Sequence, residues 1–154
     1  MSEHVATVEW SRGDQAFGDH RYSRVHDWRF DGGAVVRGSP ALSAVPEPMS
    51  DPTAVDPEEA LVAAVSSCHM LFFLSIACKA GFVVESYRDD AVGLLEPDAR
   101  GRSSITKVTL KPVVAFLGAA PDLDTFQALH HQAHEICYVA NSIRSEIVLE
   151  PSLG

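Results

Sequence analysis

The chain has 154 residues, of which 46% are apolar and 21% are charged, the balance of a soluble globular protein. Its formal charge of -9, with lysines and arginines scattered along the chain, would repel phosphate backbones and anionic lipid heads, so we expect neither nucleic acid nor a membrane as a partner. The N-terminus has no basic segment followed by an apolar run, which predicts a cytoplasmic protein without a signal peptide. Three cysteines in that compartment do not form a structural disulfide framework. We expect a single domain over residues 1–154.

Bulky and polar side chains alternate over residues 5–10 and 22–30, which predicts two strands near the N-terminus. A turn at residues 31–33 then precedes the apolar residues 34–36, so the segment is expected to form a hairpin or a meander. The next stretch, residues 38–57, contains five prolines and predicts an extended surface loop.

A helix-start signal follows this loop. Asp56 is a good N-cap residue, Pro57 suits the first helical position, and Glu59 completes a capping box. The helix is expected to run to Ala80 and to end at Gly81. Because most of its faces are apolar, it must be buried nearly all round, and a second subunit is expected to cover part of it.

Polar residues interrupt this apolar helix around Cys68. Ser66, Ser67 and His69 would each cost about 1–3 kcal/mol if they were buried without partners, so a polar site near the thiol is expected. The same residues argue for a core helix and against a membrane span. An inert, buried Cys68 is the alternative. Cys78 lies too far along the helix to pair with Cys68, and we assign it to packing.

The second half of the chain predicts further strands and one more helix. Strand-like runs occupy residues 82–96 and 104–117. A helix opens at residues 121–124, and its apolar positions recur at helical spacing up to about Asn141. A last strand is expected at residues 146–151. Strands, a long helix, strands, a helix and a strand, in that order, predict an α+β two-layer domain.

Cys137 lies near the end of the second predicted helix. The partial negative charge of a helix C-terminus disfavours a thiolate, so this position suits a resolving thiol better than an attacking one. Core packing is the alternative for Cys137. An attacking thiolate is usually stabilised by a nearby cation, and the candidates are Arg21, Arg24 and Arg29; each could equally be a solvated surface charge.

A metal site is a rival interpretation. His130, His134 and Cys137 stand at i, i+4 and i+7, which would place them on one helical face, and imidazole and thiolate are good zinc ligands. Cys68 or His69 would supply the fourth ligand. A third interpretation is a binding or stress-related protein without enzymatic activity.

A resemblance to the OsmC/Ohr family of hydroperoxide reductases rests on two segments, VDPEEALVAAVSSCHMLFFLSIACKAGF and AHEICYVANSIRSEIVLEP. It covers residues 54–151 well and the N-terminal third loosely. The resemblance implies an OsmC-like fold with antiparallel-rich sheets and two main helices, assembled as an intertwined homodimer. It also implies a thiol peroxidase of oxidative stress defence, regenerated by a dithiol such as a lipoyl group. Neither a cofactor nor a metal is expected for this chemistry.

The resemblance also implies roles for individual residues. Cys68 would be the peroxidatic residue, reducing organic hydroperoxides or, as a fallback, hydrogen peroxide through a sulfenic acid. Cys137 would resolve that sulfenic acid as a Cys68–Cys137 disulfide. Glu58 would be the carboxylate that holds the active-site arginine; Arg24 aligns best with that arginine and Arg21 is the alternative.

One position departs from the family pattern. Proline follows the second cysteine in many family members, whereas Tyr138 follows Cys137 here. The local geometry of the resolving thiol is therefore expected to differ from that of those members.

Overall fold

An antiparallel meander forms the N-terminal part of the chain. Its strands, β1 (Ala6–Glu9), β2 (His26–Phe30) and β3 (Val35–Gly38), pair in sequence order, as the alternating pattern predicts. Gly33, in the turn before β3, has a φ of 86°, a left-handed conformation that glycine adopts without a steric penalty. The predicted meander is confirmed.

The computed structural model describes all 154 residues, which form two compact units, Met1–Ala60 and Leu61–Gly154. The first unit contains the meander and the proline-rich loop. Within this loop Ser39 is fully buried, and its hydroxyl accepts a hydrogen bond from the backbone N–H of Asp51 at 2.9 Å. The loop is therefore anchored at this point. That residues 1–154 act as a single domain stays a prediction.

The capping box starts the helix α1 (Pro57–Lys79) as expected. The Asp56 carboxylate accepts a hydrogen bond from the backbone N–H of Glu59 at 2.7 Å, and the Glu59 carboxylate accepts one from the backbone N–H of Asp56 at 3.2 Å. The two bonds satisfy amide groups that a helix start would otherwise leave unpaired. At the other end Gly81 has a φ of 87° and terminates the helix, as predicted. The last helical residue is Lys79, one residue before the predicted Ala80.

The burial of α1 differs from the prediction. Only one stripe of the helix is buried, at every fourth position: Val65, His69, Phe73 and Ala77. Other apolar side chains of the helix are open, and Leu71 is 61% exposed. A stripe with this spacing faces a single neighbouring layer, so the chain by itself does not surround α1.

By length and composition α1 could cross a membrane, since its most apolar 18-residue window has a mean hydropathy of 2.0 and 22% of that window is buried. The core helix of a soluble protein passes the same test. The apolar surface of α1 is therefore compatible with a protein partner, and it does not by itself indicate a membrane.

The long strand-like runs each split in two, because the chain crosses from one sheet to another. The observed strands are β4 (Val84–Asp89), β5 (Val92–Pro97), β6 (Ser103–Leu110) and β7 (Pro112–Phe116). β4 pairs with β7, and β5 pairs with β6 in a separate sheet. At the crossing, the Asp89 carboxylate accepts a hydrogen bond from the backbone N–H of Lys111 at 2.6 Å, which ties the two crossing segments together.

The predicted last strand splits in the same manner. β8 (Glu146–Leu149) runs parallel to β6, and β9 (Ser152–Leu153) runs parallel to β7. The chain therefore passes back and forth between two three-stranded sheets, one with the strand order β4-β7-β9 and the other with the order β5-β6-β8. With the meander, the protein has antiparallel-rich sheets and two main helices, the α+β class that the sequence predicts.

The second main helix, α2 (Leu123–Ile136), begins at Asp122, whose carboxylate accepts a hydrogen bond from the Thr125 backbone N–H at 2.7 Å. It ends earlier than predicted, and a short 3-10 helix at Ala140–Ser142 follows. Its apolar face packs against α1 and β7 in the larger core cluster, whose buried members are Phe73, Ala77, Val114, Phe126, Leu129 and Ala133. This packing sets α1 beside α2.

Candidate functional site

Two thiols meet where α1 lies beside the end of α2. Cys68, near the middle of α1, is half-buried, whereas Cys137 is fully buried. Both cysteines are free. Burial raises the pKa of Cys137 to about 11, and the nearby Cys68 thiol contributes to the increase. Cys137 is therefore a protonated thiol at neutral pH, placed close to Cys68.

Cys137 is held in a turn and not within a helix. It is the C-cap of α2, with an extended backbone at φ -68° and ψ 111°. Its sulfur accepts a hydrogen bond from the Ala140 backbone N–H at 3.4 Å, and its carbonyl accepts one from the Asn141 N–H at 3.0 Å. The prediction that the helix continues to about Asn141 is wrong: α2 ends at Ile136, and the residues after it form a turn held by these hydrogen bonds.

Ser66 and Ser67 do not form the polar surroundings expected for Cys68. The Ser66 hydroxyl donates a hydrogen bond to the Asp89 carboxylate at 2.5 Å, so it ties α1 to the strand crossing. Ser67 is exposed. No local sequence pattern points to Asp89, because its partners are distant in sequence and its neighbours form an ordinary strand pattern.

His69 and His130 form a buried pair between α1 and α2. Their ring nitrogens, Nε2 of His69 and Nδ1 of His130, lie 3.0 Å apart, and each residue is 1% exposed. Burial, with a smaller contribution from the charge of His134, lowers the pKa of His69 to about 4. Burial, with a smaller contribution from the charge of His69, lowers the pKa of His130 to about 3. Both imidazoles are therefore neutral at neutral pH.

The geometry does not support the zinc alternative. Because α2 ends at Ile136, Cys137 does not continue the helical face that carries His130 and His134. His130 uses one ring nitrogen to pair with His69. No group of three His, Cys, Asp or Glu side chains in the chain is placed to hold a metal ion.

The candidate arginines belong to the first unit. The guanidinium of Arg24 lies over the Tyr22 ring, 4.4 Å from its centroid, and donates hydrogen bonds to the carbonyls of Tyr22 at 3.3 Å and His20 at 3.4 Å. Arg21 is exposed, and its side chain has no ion pair. Arg24 is thus held by its own segment, whereas Arg21 is free.

Arg29, the third candidate, is already engaged. It pairs with Glu9 at 2.6 Å and with Asp27 at 3.0 Å across the meander. The hydrogen bond and charge of Glu9 raise the pKa of Arg29, which is consistent with a structural ion pair on the sheet surface.

Glu58 lies in the first turn of α1 and is half-buried. It forms no ion pair with Arg24 or Arg21 within the chain. Along the helix Glu58 and Cys68 are separated by about 15 Å. The carboxylate–arginine pair is therefore not formed in one chain, and it stays a prediction.

An aromatic pair flanks the thiols. Tyr138 directly follows Cys137, is 74% exposed, and meets Phe72 edge to face, with ring centroids 5.0 Å apart. Phe72 lies one helical turn beyond Cys68 on α1. The residue that replaces the usual proline thus adds apolar surface beside the site, a feature that the sequence alone could not assign.

Comparisons with known proteins agree with this architecture. The profile of the OsmC-like protein family matches residues 50–152. An OsmC-like protein of unknown function from Vibrio cholerae is 52% identical, with a TM-score of 0.95 over 98% of this chain and 99% of that chain. No curated protein matches the sequence.

More distant solved structures share the fold. An organic hydroperoxide resistance protein OsmC from Legionella pneumophila is 15% identical, with a TM-score of 0.66 over 100% of this chain and 98% of that one. The organic hydroperoxide resistance protein OhrB of Bacillus subtilis is 17% identical, with a TM-score of 0.62 over 99% and 98% of the two chains. At these identities the likeness concerns the fold alone.

Proposed function

This chain belongs to the OsmC-like protein family, and we propose that it is a cysteine-based peroxidase that reduces organic hydroperoxides in oxidative stress defence. Solved structures with this fold include organic hydroperoxide resistance proteins, which supports a general role in redox stress. The observation that carries the finer proposal is the meeting of Cys68 and Cys137, one half-buried and one fully buried.

In the first step the Cys68 thiolate attacks an oxygen of the hydroperoxide. A sulfur–oxygen bond forms, the oxygen–oxygen bond breaks, and the organic fragment takes up a proton and leaves as an alcohol, so that Cys68 becomes a sulfenic acid. The partial exposure of Cys68 supports this role, because the attacking sulfur must be reached by the substrate.

In the second step Cys137 attacks the sulfenic sulfur. The sulfur–sulfur bond forms, the sulfur–oxygen bond breaks, and the hydroxyl group leaves as water with the proton of the Cys137 thiol. Because the pKa of Cys137 is raised to about 11, this thiol holds its proton until the step that uses it. No further oxidant or reductant is needed to close the disulfide.

Regeneration needs an external dithiol, and a lipoyl group belongs to the suitable chemical class. One of its thiols attacks the Cys68–Cys137 disulfide, and its second thiol then releases the protein and becomes a disulfide itself. Cys68 is half-buried and so partly accessible, whereas Cys137 is fully buried, so the dithiol attacks Cys68 and frees Cys137.

The family resemblance assigns Arg24 and Glu58 to the same reaction. Arg24 is the cation that stabilises the Cys68 thiolate, and Glu58 is the carboxylate that orients it; Arg21 is the alternative to Arg24. A guanidinium suits this role because it stays charged and donates several hydrogen bonds in a fixed plane.

The open apolar surface of α1 supports an intertwined homodimer. Leu71 is 61% exposed in the single chain, and large apolar surfaces of this kind mark sites of protein association. The related solved structures come from bacteria, and we place this protein in the cytoplasm, where its thiols are kept reduced.

Hydroperoxide consumption tests the proposed function. With an organic hydroperoxide and dihydrolipoamide, the wild type and Cys78→Ser should turn over at equal rates, because Cys78 is exposed and away from the thiol pair. Cys68→Ser should consume no hydroperoxide above background. Full activity in Cys68→Ser would refute the proposal.

A further inference from the structure

The buried His69–His130 pair has no role in the steps described above. Its ring nitrogens are 3.0 Å apart, and the two rings are nearly parallel, with centroids 5.3 Å apart and an interplanar angle of 8°. The other nitrogen of each ring, Nδ1 of His69 and Nε2 of His130, is buried without a hydrogen-bond partner in the protein. Nearby, His134 Nδ1 and the Tyr87 hydroxyl are buried and unpartnered as well.

Aromatic rings surround His130, including that of Tyr87. His130 stacks on Phe73 at a centroid distance of 4.1 Å and meets Phe126 edge to face at 4.7 Å. Burying an imidazole nitrogen without a partner costs free energy, and two apolar side chains of similar volume would fill the same space without that cost. Stability alone therefore does not account for two histidines at this place in the core.

A hydrogen bond differs from an apolar contact because it fixes distance and direction. Buried polar pairs can specify one packing arrangement where apolar side chains would tolerate sliding. The partners here are 61 residues apart in sequence and join the two helices, α1 and α2, that position the thiols. His69 directly follows Cys68, and His130 precedes Cys137 by two helical turns.

From this arrangement we infer that the His69–His130 hydrogen bond is a positioning device, which holds α1 and α2 in the register at which Cys68 and Cys137 react with each other. The inference rests on the proposed function, because it concerns the second step of that reaction. His69 and His130 act through the helices, and neither touches the substrate.

The register matters because the sulfenic acid at Cys68 has two competing fates. Attack by Cys137 closes the disulfide and releases water. Alternatively, the sulfenic sulfur attacks a second hydroperoxide molecule: another sulfur–oxygen bond forms, the oxygen–oxygen bond breaks, and an alcohol leaves, so that Cys68 becomes a sulfinic acid. The first fate is intramolecular and depends steeply on the placement of the two sulfurs, whereas the second does not involve Cys137.

The test compares variants that keep the hydrogen bond with variants that remove it, all carrying Cys78→Ser. The amide of Gln reaches the position of a histidine Nε2 and that of Asn the position of Nδ1, so His69→Gln and His130→Asn each keep a polar atom at the contact. The double variant His69→Leu/His130→Leu removes it. Leu129→Ala, on the same face of α2 and in the same core, controls for lost packing.

Each variant is treated with increasing cumene hydroperoxide, and intact mass and peptide mapping give the ratio of sulfinic acid to disulfide. We expect this ratio to rise about tenfold in the apolar double variant, to stay within about threefold of wild type in His69→Gln and His130→Asn, and to stay unchanged in Leu129→Ala despite its lower thermal stability. The double variant should unfold at a temperature equal to or above that of wild type.

An apolar double variant with the wild-type ratio would overturn the inference. A double variant that fails to fold would overturn it too, because the pair would then be needed for stability. Closure by diamide, which oxidises thiols without hydroperoxide, separates this inference from the proposed function. If hydroperoxide leaves Cys68 unchanged, the peroxidase proposal fails, and a slower diamide closure in the double variant still supports the positioning role.

Discussion

The thiol of Cys68, on α1, is a neighbour of the thiol of Cys137, which is the C-cap residue of α2. The pKa of Cys137 is raised to about 11, first by burial and then by the nearby Cys68 thiol. A thiol that keeps its proton can donate it toward the sulfur beside it. Cys137 therefore has two successive roles in the proposed cycle, as a hydrogen-bond donor before oxidation and as the resolving nucleophile afterwards.

Substitution of Cys137 should separate these two roles. Cys137→Ser and Cys137→Ala should both allow one turnover, lose recycling, and accumulate oxidation beyond the sulfenic acid, because neither can close a disulfide. Serine retains a donor and alanine does not. Since a hydrogen bond contributes about 0.5–1.5 kcal/mol, Cys68 should be alkylated by iodoacetamide about 2- to 10-fold more slowly in Cys137→Ala than in Cys137→Ser.

Cys78→Ser is the matched background for this comparison, because Cys78 is exposed and would otherwise also react. Equal alkylation rates of Cys68 in the two Cys137 variants would contradict the role of Cys137 as a hydrogen-bond donor. They would not bear on its role as the resolving nucleophile.

The arginine assignment is tested by peroxide reduction and by Cys68 alkylation at neutral pH. Arg24→Ala should slow both by at least about tenfold, because the thiolate loses its cation. Glu58→Gln should slow them less, since the charge stays and only its orientation suffers. Arg29→Ala is the matched control, because Arg29 is engaged in ion pairs on the meander.

If Arg24→Ala matches wild type while Arg21→Ala slows both reactions, Arg21 is the active-site residue. If neither substitution has an effect, the cation hypothesis is wrong, and the thiolate of Cys68 must be stabilised by other groups.

Folding stability should fall in mild acid because of the buried histidines. The pKa of His69 drops from 6.5 to about 4 and that of His130 from 6.5 to about 3 on folding. As the pH falls below 6.5, the unfolded chain therefore binds protons that the folded chain excludes. The loss is on the order of 3 kcal/mol per histidine between pH 7 and pH 4.

Circular dichroism as a function of pH checks this prediction. The double variant His69→Leu/His130→Leu should unfold at a lower pH than wild type, because it lacks the two buried imidazoles. The neighbouring titratable groups, His134 and Tyr87, are the same in both proteins. His131→Leu, on the exposed side of α2, should leave the transition in place, because its side chain is 70% exposed. An unshifted transition in the double variant would contradict the assigned histidine pKa values.

Some features of this protein follow from local sequence and others do not. The capping box at Asp56 and Glu59 and the stop at Gly81 are encoded within a few residues, so the bounds of α1 could be predicted closely. The strand crossings could not be predicted, because the alternating pattern is the same in either sheet, and the contact of Asp89 with Lys111 that marks the crossing joins residues distant in sequence.

The candidate site shows the same division. The family motif predicts Cys68 and Cys137 as site residues, but the end of α2 depends on the turn in which the Ala140 N–H donates a hydrogen bond to the Cys137 sulfur. Helical periodicity alone predicts that the helix continues through this turn, whereas α2 ends at Ile136. The His69–His130 contact joins residues 61 apart, and no local pattern specifies it.

The dimer prediction rests on the open face of α1. The wild type should sediment at micromolar concentration with a mass near twice 16.6 kDa. Leu71→Glu places a charge on the exposed apolar face of α1, where Leu71 is 61% exposed, and should favour the monomer. Leu117→Glu, at a residue that is 63% exposed but lies outside α1, is the control. A stable and active wild-type monomer would contradict the dimer.

The most direct test of the central claim is a peptide map of the Cys78→Ser protein after one equivalent of organic hydroperoxide, with free thiols alkylated at the quench. The account predicts a loss of two hydrogen atoms in the intact mass, a Cys68–Cys137 linked peptide, and full reversal by dihydrolipoamide. A protein that gains the mass of two alkyl groups, with both Cys68 and Cys137 alkylated after hydroperoxide treatment, would contradict it.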